Sequence, residues 1–221
     1  MKSNLDIPYY LELQRRMQDI FRYVSCHERN FGTYSIILES LLVDSCSFFD
    51  SLCQTFIRER VRSGNIFKRE DEIKDFEDKV SGDEDFNFGH YRTLLEGEYL
   101  LSSREVTLNV YEDAFVNPLH SLPDKQSRYD ITPFKEWAVV PVIESPWWSS
   151  FTSLKHDRIT NFRQATLKNV IFSLSAVFIV LTLSKQTEFK TAVVPLEVYD
   201  LFFPQYWKFS GRSSIATFMW S

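Results

Sequence analysis

The stretch Trp147–Leu181, WWSSFTSLKHDRITNFRQATLKNVIFSLSAVFIVL, decides how the rest of the chain is read. Paired tryptophans open it, a Lys155-His156-Asp157-Arg158 knot follows, and an apolar run closes it. Apolar character sustained over that length predicts one long helical tract, about Trp148–Leu183, with little of its surface left for water. The most apolar part, Val170–Leu183, falls short of the roughly twenty residues of a membrane span. Lys168 and Asn169 cut it off upstream, so it reads as a buried core helix and no membrane partner is expected.

A helix that apolar needs a partner, and one is legible upstream. Tyr34, Ile37, Leu38, Leu41, Phe48, Phe49, Leu52 and Phe56 recur at steps of three and four, which predicts a helix from an N-cap at Thr33 to about Arg62. Arg58, Arg60 and Arg62 suit its negative end, and Gly64 suits its stop. Matched length and matched apolar faces predict that the two tracts pack together, antiparallel, as the centre of a mainly α bundle. A shorter helix is expected over Ile7–Tyr23. Between the long tracts, at about 100–146, REVTLNVYED alternates as a strand does, and PFKEWAVVPV reads as a second, short strand limited by Pro141. This region is expected as a small β or loop insertion into one domain spanning 1–221.

Composition bounds the function. The 221 residues are 44% hydrophobic and 16% aromatic with only six glycines, enough to build a sizeable core. The formal net charge of −5 excludes a broadly basic surface and leaves only a local basic cleft for nucleic acid. Cys26, Cys46 and Cys53 form no Cys-x-x-Cys pair. On one helix Cys46 and Cys53 would stand roughly 10 Å apart, too far for a disulfide. The odd, unpaired count fits a reducing cytoplasm, and the charged start MKSNLDIPYYLEL shows no secretion signal. The acidic tract Glu70–Asp85 lacks the spacing of a calcium loop and reads as a solvated helix and turn. The histidines His27, His90, His120 and His156 are scattered, so no metal or cofactor is expected. The aromatic C-terminal end, FFPQYWKFSGRSSIATFMWS, is expected to pack back on the helices or to meet a protein partner.

The knot is the best chemical candidate. His156 has the chemistry of a general base or acid near neutral pH, and Lys155 or Arg158 that of a phosphate holder. Such a set suffices for metal-free RNA cleavage through the ribose 2′-hydroxyl. The alternative is a polar collar, with Asp157 paired to solvent-facing cations and His156 packed on the tryptophans. Asp50 lies at the edge of the first long apolar face, in line with Cys46, Cys53 and Ile57. Antiparallel packing would bring it to Lys155, His156 or Arg158; otherwise it is a solvated acid.

Two blocks, NFGTYSIILESLLVDSCSFFDSL at Asn30–Leu52 and the Trp147–Leu181 stretch, resemble helices of the HEPN superfamily, in poorly characterised bacterial members. The resemblance implies a HEPN-like helical bundle and a homodimer. It further implies a defence or toxin role as a divergent metal-independent endoribonuclease, with RNA or a nucleotide as ligand. It places His156 in the catalytic role with Asp50 as the supporting acid, and Lys155 or Arg158 beside them. The alternative within the same resemblance is a non-catalytic nucleotide- or RNA-binding protein or a protein-interaction scaffold. The superfamily's arginine four to six residues ahead of the histidine has no counterpart here: no arginine lies between Tyr129 and Asp157. Arg22 and His27 have the right spacing, but roughly 0.8 such pairs are expected by chance from this composition, and they end the first helix.

Overall fold

The computed structural model describes residues 5–109, 128–141, 143–188 and 196–204. The chain is mainly helical. In order it forms α1 (Asp6–Phe21), α2 (Ile36–Arg62), α3 (Phe76–Ser81), α4 (Phe88–Tyr91), α5 (Gly97–Tyr99), β1 (Val106–Asn109), β2 (Arg128–Ile131), α6 (Pro146–His156), α7 (Arg158–Asn161), α8 (Leu167–Glu188) and β3 (Phe202–Pro204). A π turn, Arg92–Glu96, joins α4 to α5.

α1 buries Tyr10, Leu13, Gln14 and Met17, one face at helical spacing. α2 starts two residues later than expected, with Ser35 rather than Thr33 as N-cap: the Ser35 side chain accepts from the Leu38 N–H. The Thr33 carbonyl has another use, accepting the Leu167 N–H at 2.8 Å. At the far end Gly64, at φ +82°, supplies the left-handed turn that stops the helix.

The second long tract is not one helix. α6 ends at His156, and Asp157 takes an extended conformation in which its carboxylate caps α7 through the Thr160 N–H. The Asn161 amide reaches back to the carbonyls of Ser153 and Asp157, at 3.1 and 2.9 Å, and closes the end of α6. Asp and Asn compete with helical backbone in this way, and the pair of them turns the chain around. The returning helix α8 lies along α6, with Asn169 donating to the Ser150 hydroxyl at 2.8 Å.

This reversal corrects the expected antiparallel pairing of the long helices. α6 does run antiparallel to α2: Trp147 and Trp148 face Phe49, while Arg158 meets Glu39. α8 runs parallel to α2. Leu167 and Lys168 donate to the carbonyls of Thr33 and Phe31 where both helices begin, and Ser173 meets Ser45 further along. α1 is antiparallel to both, by Tyr9 on Phe48 and Arg16 on Asp44, and by Tyr10 on Phe178 and Lys185 on Asp6. The four helices therefore alternate in direction through the bundle.

α8 is long and apolar enough to cross a membrane, with mean hydropathy 1.9 over Leu167–Lys185, but 83% of that window is buried inside the protein. Its surroundings explain the composition: α1, α2, α6 and β3 cover it on several sides.

The expected strand at Val106 forms β1. The expected second strand does not form over PFKEWAVVPV: Lys135–Ala138 is a 3-10 turn that buries Phe134 and Trp137, three residues apart. Aromatic spacing of three outweighs alternation there. The neighbours of β1 are β2 and β3, both antiparallel, with Val106 opposite Ile131 and Pro204. The beginning of the C-terminal end thus packs back as expected, with Phe202 fully buried against Phe178. The remainder, 205–221, lies outside the described residues, as does His120. The acidic tract forms a 3-10 turn at Glu70–Glu72 and then α3, and its carboxylates find cations: Glu72 on Arg69, Glu84 on Lys79, Asp85 on Arg58. Cys26, Cys46 and Cys53 are buried, and no disulfide joins them.

Candidate functional site

The four residues singled out in the sequence occupy three different settings. Lys155 and Asp50 line one open cleft of about 430 Å³ between α2, α6 and the turn into α4. Arg158 leaves that cleft and pairs with Glu39 in the first turn of α2, Nε to Oε1 at 2.8 Å. His156 is exposed and, among the described residues, makes no side-chain hydrogen bond or ion pair. Helix geometry explains the split. Lys155 shares a face with Trp148, Phe151 and Thr152, at helical steps of three and four, whereas His156 is turned about 100° around the axis.

Asp50 does not meet His156 or Arg158. One of its oxygens accepts the Tyr91 hydroxyl at 2.7 Å. That hydroxyl also lies 3.0 Å from the Phe86 carbonyl. Its single proton serves the carboxylate, the stronger acceptor. Partial burial raises the Asp50 pKa above its ordinary value, and the Tyr91 hydrogen bond and the Lys155 ammonium oppose that rise. The neighbouring Asp85 adds to it. The Tyr91 hydroxyl is in turn pushed far up by burial and by the Cys53 and Asp50 groups beside it, so it stays a donor.

Aromatic rings form the floor and walls of the cleft. Phe88 stacks on Trp148 with centroids 4.5 Å apart and planes 12° from parallel. Phe86 and Phe151 extend the wall, and the Lys155 ammonium sits 5.3 Å over the Phe151 ring. Glu144, at the other end of α6, also faces the cleft and accepts the Ser149 hydroxyl at 2.6 Å. The paired tryptophans therefore pack on Phe49 and Phe88, and His156 does not share that cluster.

The second feature is the bend itself. Lys155, His156, Arg158, Arg163 and Lys168 are all exposed along the turn from α6 to α8. Asp157 is the sole acid between residues 155 and 168, and its carboxylate is engaged as the α7 cap. Glu39 is 5% exposed and meets Arg158 off the axis of a good hydrogen bond, so it holds one cation by charge alone. Beside the bend stand the half-exposed ring of Tyr34, edge-on to Phe162 at 5.7 Å, and the exposed Ile159. Arg163 and Lys168 belong to no catalytic motif, and their signal in the sequence is the excess of positive charge along 155–168. Tyr91 and Glu144 carry no local signal that ties them to Asp50. Among the described residues no group of histidines, cysteines and carboxylates is placed to hold a metal. The His27 ring caps the turn Glu28–Asn30 by accepting the Arg29 N–H, a structural use of the motif-like Arg22–His27 pair. No family model, curated protein or solved structure matches the chain.

Proposed function

We propose that the chain is a HEPN-like RNA-binding protein without nuclease chemistry of its own, and that the bend from α6 to α8 is its contact surface. The observation that carries this reading is the segregation of charge. In a chain of net charge −5, the bend offers Arg158, Arg163 and Lys168 to solvent with its one acid used as a helix cap. Spaced cations of this kind track a phosphate backbone, and the half-exposed Tyr34 offers an aromatic ring on which an unpaired base can stack. Single-stranded RNA fits better than duplex, because the patch is short and flanked by apolar side chains. Catalysis has less support than binding. A general base needs a phosphate-holding cation and a transition-state partner aimed at the same point, whereas Lys155 turns to the cleft and Arg158 to Glu39.

The test is fluorescence anisotropy with an end-labelled single-stranded RNA, over a series of salt concentrations. The parent should bind with strong salt dependence, and the double variant Arg163→Glu, Lys168→Glu should lose about tenfold or more in affinity with a shallower salt slope. A parent that fails to bind at low salt would refute the proposal.

A further inference from the structure

We infer that the cleft between α2, α6 and the α4 turn is a binding site for a small organic cation, an aliphatic amine or guanidinium, separate from the RNA surface. Three observations converge on this. The first is charge. Asp50 and Glu144 face the cleft with Lys155 as the single cation, and Asp85 adds its field on Asp50. An anion entering would meet net negative charge, whereas a cation is drawn in.

The second is the wall. Phe86, Phe88, Trp148 and Phe151 line the cleft, and the one ammonium already there rests over Phe151 at 5.3 Å. The wall thus already serves a cation in this very structure, and an aromatic lining of this kind suits the alkyl stem and charged head of a second one. The third is size and hydrogen bonding. A volume of about 430 Å³ lies within the range of small-molecule sites. Tyr91 occupies one Asp50 oxygen, which fixes the carboxylate and leaves the other as an acceptor. Thr152 adds a hydroxyl at the same wall. Partial burial keeps Asp50 costly to ionise, so a bound cation would favour the ionised form and release a proton wherever the group is not already ionised.

The experiment is calorimetric titration of the full chain with agmatine, which carries an amine and a guanidinium on four carbons, and with butylamine; butyrate is the anionic control. Saturable binding of agmatine or butylamine, no binding of butyrate, and loss of about tenfold in affinity in Asp50→Asn are expected. Glu144→Gln, at an exposed carboxylate whose change leaves the core untouched, should also weaken binding. Arg163→Glu should leave it unchanged, which separates this site from the RNA surface. Absence of saturable binding for both amines, equal binding of butyrate, or undiminished binding in both carboxylate variants would overturn the inference.

Discussion

Ser45 of α2 and Ser173 of α8 share a 2.6 Å hydrogen bond in the centre of the core, where neither is exposed to solvent. Each hydroxyl also lies 3.0 Å from a carbonyl of its own helix, Leu42 for Ser45 and Val170 for Ser173. One hydroxyl therefore donates to its helix and the other across the interface. Small residues at this point let two parallel helices approach closely. Either Ser→Ala change should cost about 1 kcal/mol, and a double-mutant cycle should show a coupling of about 0.5–1.5 kcal/mol by denaturant unfolding. Ser173→Leu should cost more, about 1–3 kcal/mol, because overpacking would separate the helices.

Asp50 predicts a pH dependence with a definite sign. Its folded pKa is raised, chiefly by burial, so the folded chain keeps this proton to a higher pH than the unfolded chain does. The group's contribution is most favourable below its ordinary value of 3.8 and declines as pH rises through the raised folded value. Asp50→Asn removes that decline and keeps an oxygen for Tyr91. The melting temperature of Asp50→Asn minus that of the parent should therefore grow from acid to neutral pH. A difference that stays flat or shrinks would contradict the burial argument.

Arg158 and Glu39 form an uneven pair, with side chains 64% and 7% exposed. Arg158→Ala strands a buried carboxylate, at a cost of about 1 kcal/mol once water around the arginine is allowed for. Glu39→Gln removes the charge instead and should cost less. It also releases the guanidinium, so RNA affinity should rise about threefold by anisotropy. Equal destabilisation by the two changes would mean that the carboxylate is not the strained partner.

His156→Ala separates the polar collar from the free side chain. An exposed imidazole with no partner among the described residues should change stability by less than about 0.5 kcal/mol. Incubated RNA should stay intact with parent and variant alike. Cleavage by the parent that His156→Ala lowers about a hundredfold would restore the ribonuclease reading.

The helices were legible where their apolar periodicity was local: the faces of α1 and α2 follow from steps of three and four. The break at Asp157 was harder, because Asp157 and Asn161 act through caps whose strength depends on where the chain has to turn, and the apolar residues on both sides are equally helical. Direction was lost with the break. Amphipathic faces say that α2 and α8 meet, and the hydrogen bonds from Leu167 to Thr33 and Lys168 to Phe31 say how. At the candidate site, helix packing left Lys155, His156 and Arg158 all open as neighbours of Asp50, and the structure puts Lys155 in the same cleft. Tyr91 was not among them, since it lies 41 residues from Asp50 and no pattern links them. Glu39 carries no signal in the sequence that ties it to Arg158, which the bend places over it.

The placement of β1 between β2 and β3 has a consequence for synthesis on the ribosome. Both neighbours of β1, and both α6 and α8 that cover α2, come from the second half of the chain. A nascent chain that has emerged only as far as Asn109 holds α2 without α6 and α8 against it and a strand open on two edges. Its main interface cannot close until Glu188 is out. Such long-range pairing slows folding and leaves sticky surface exposed meanwhile. The same topology means that two separately made fragments, divided between β1 and β2, should reassemble without a covalent link, since core and sheet both draw on each half.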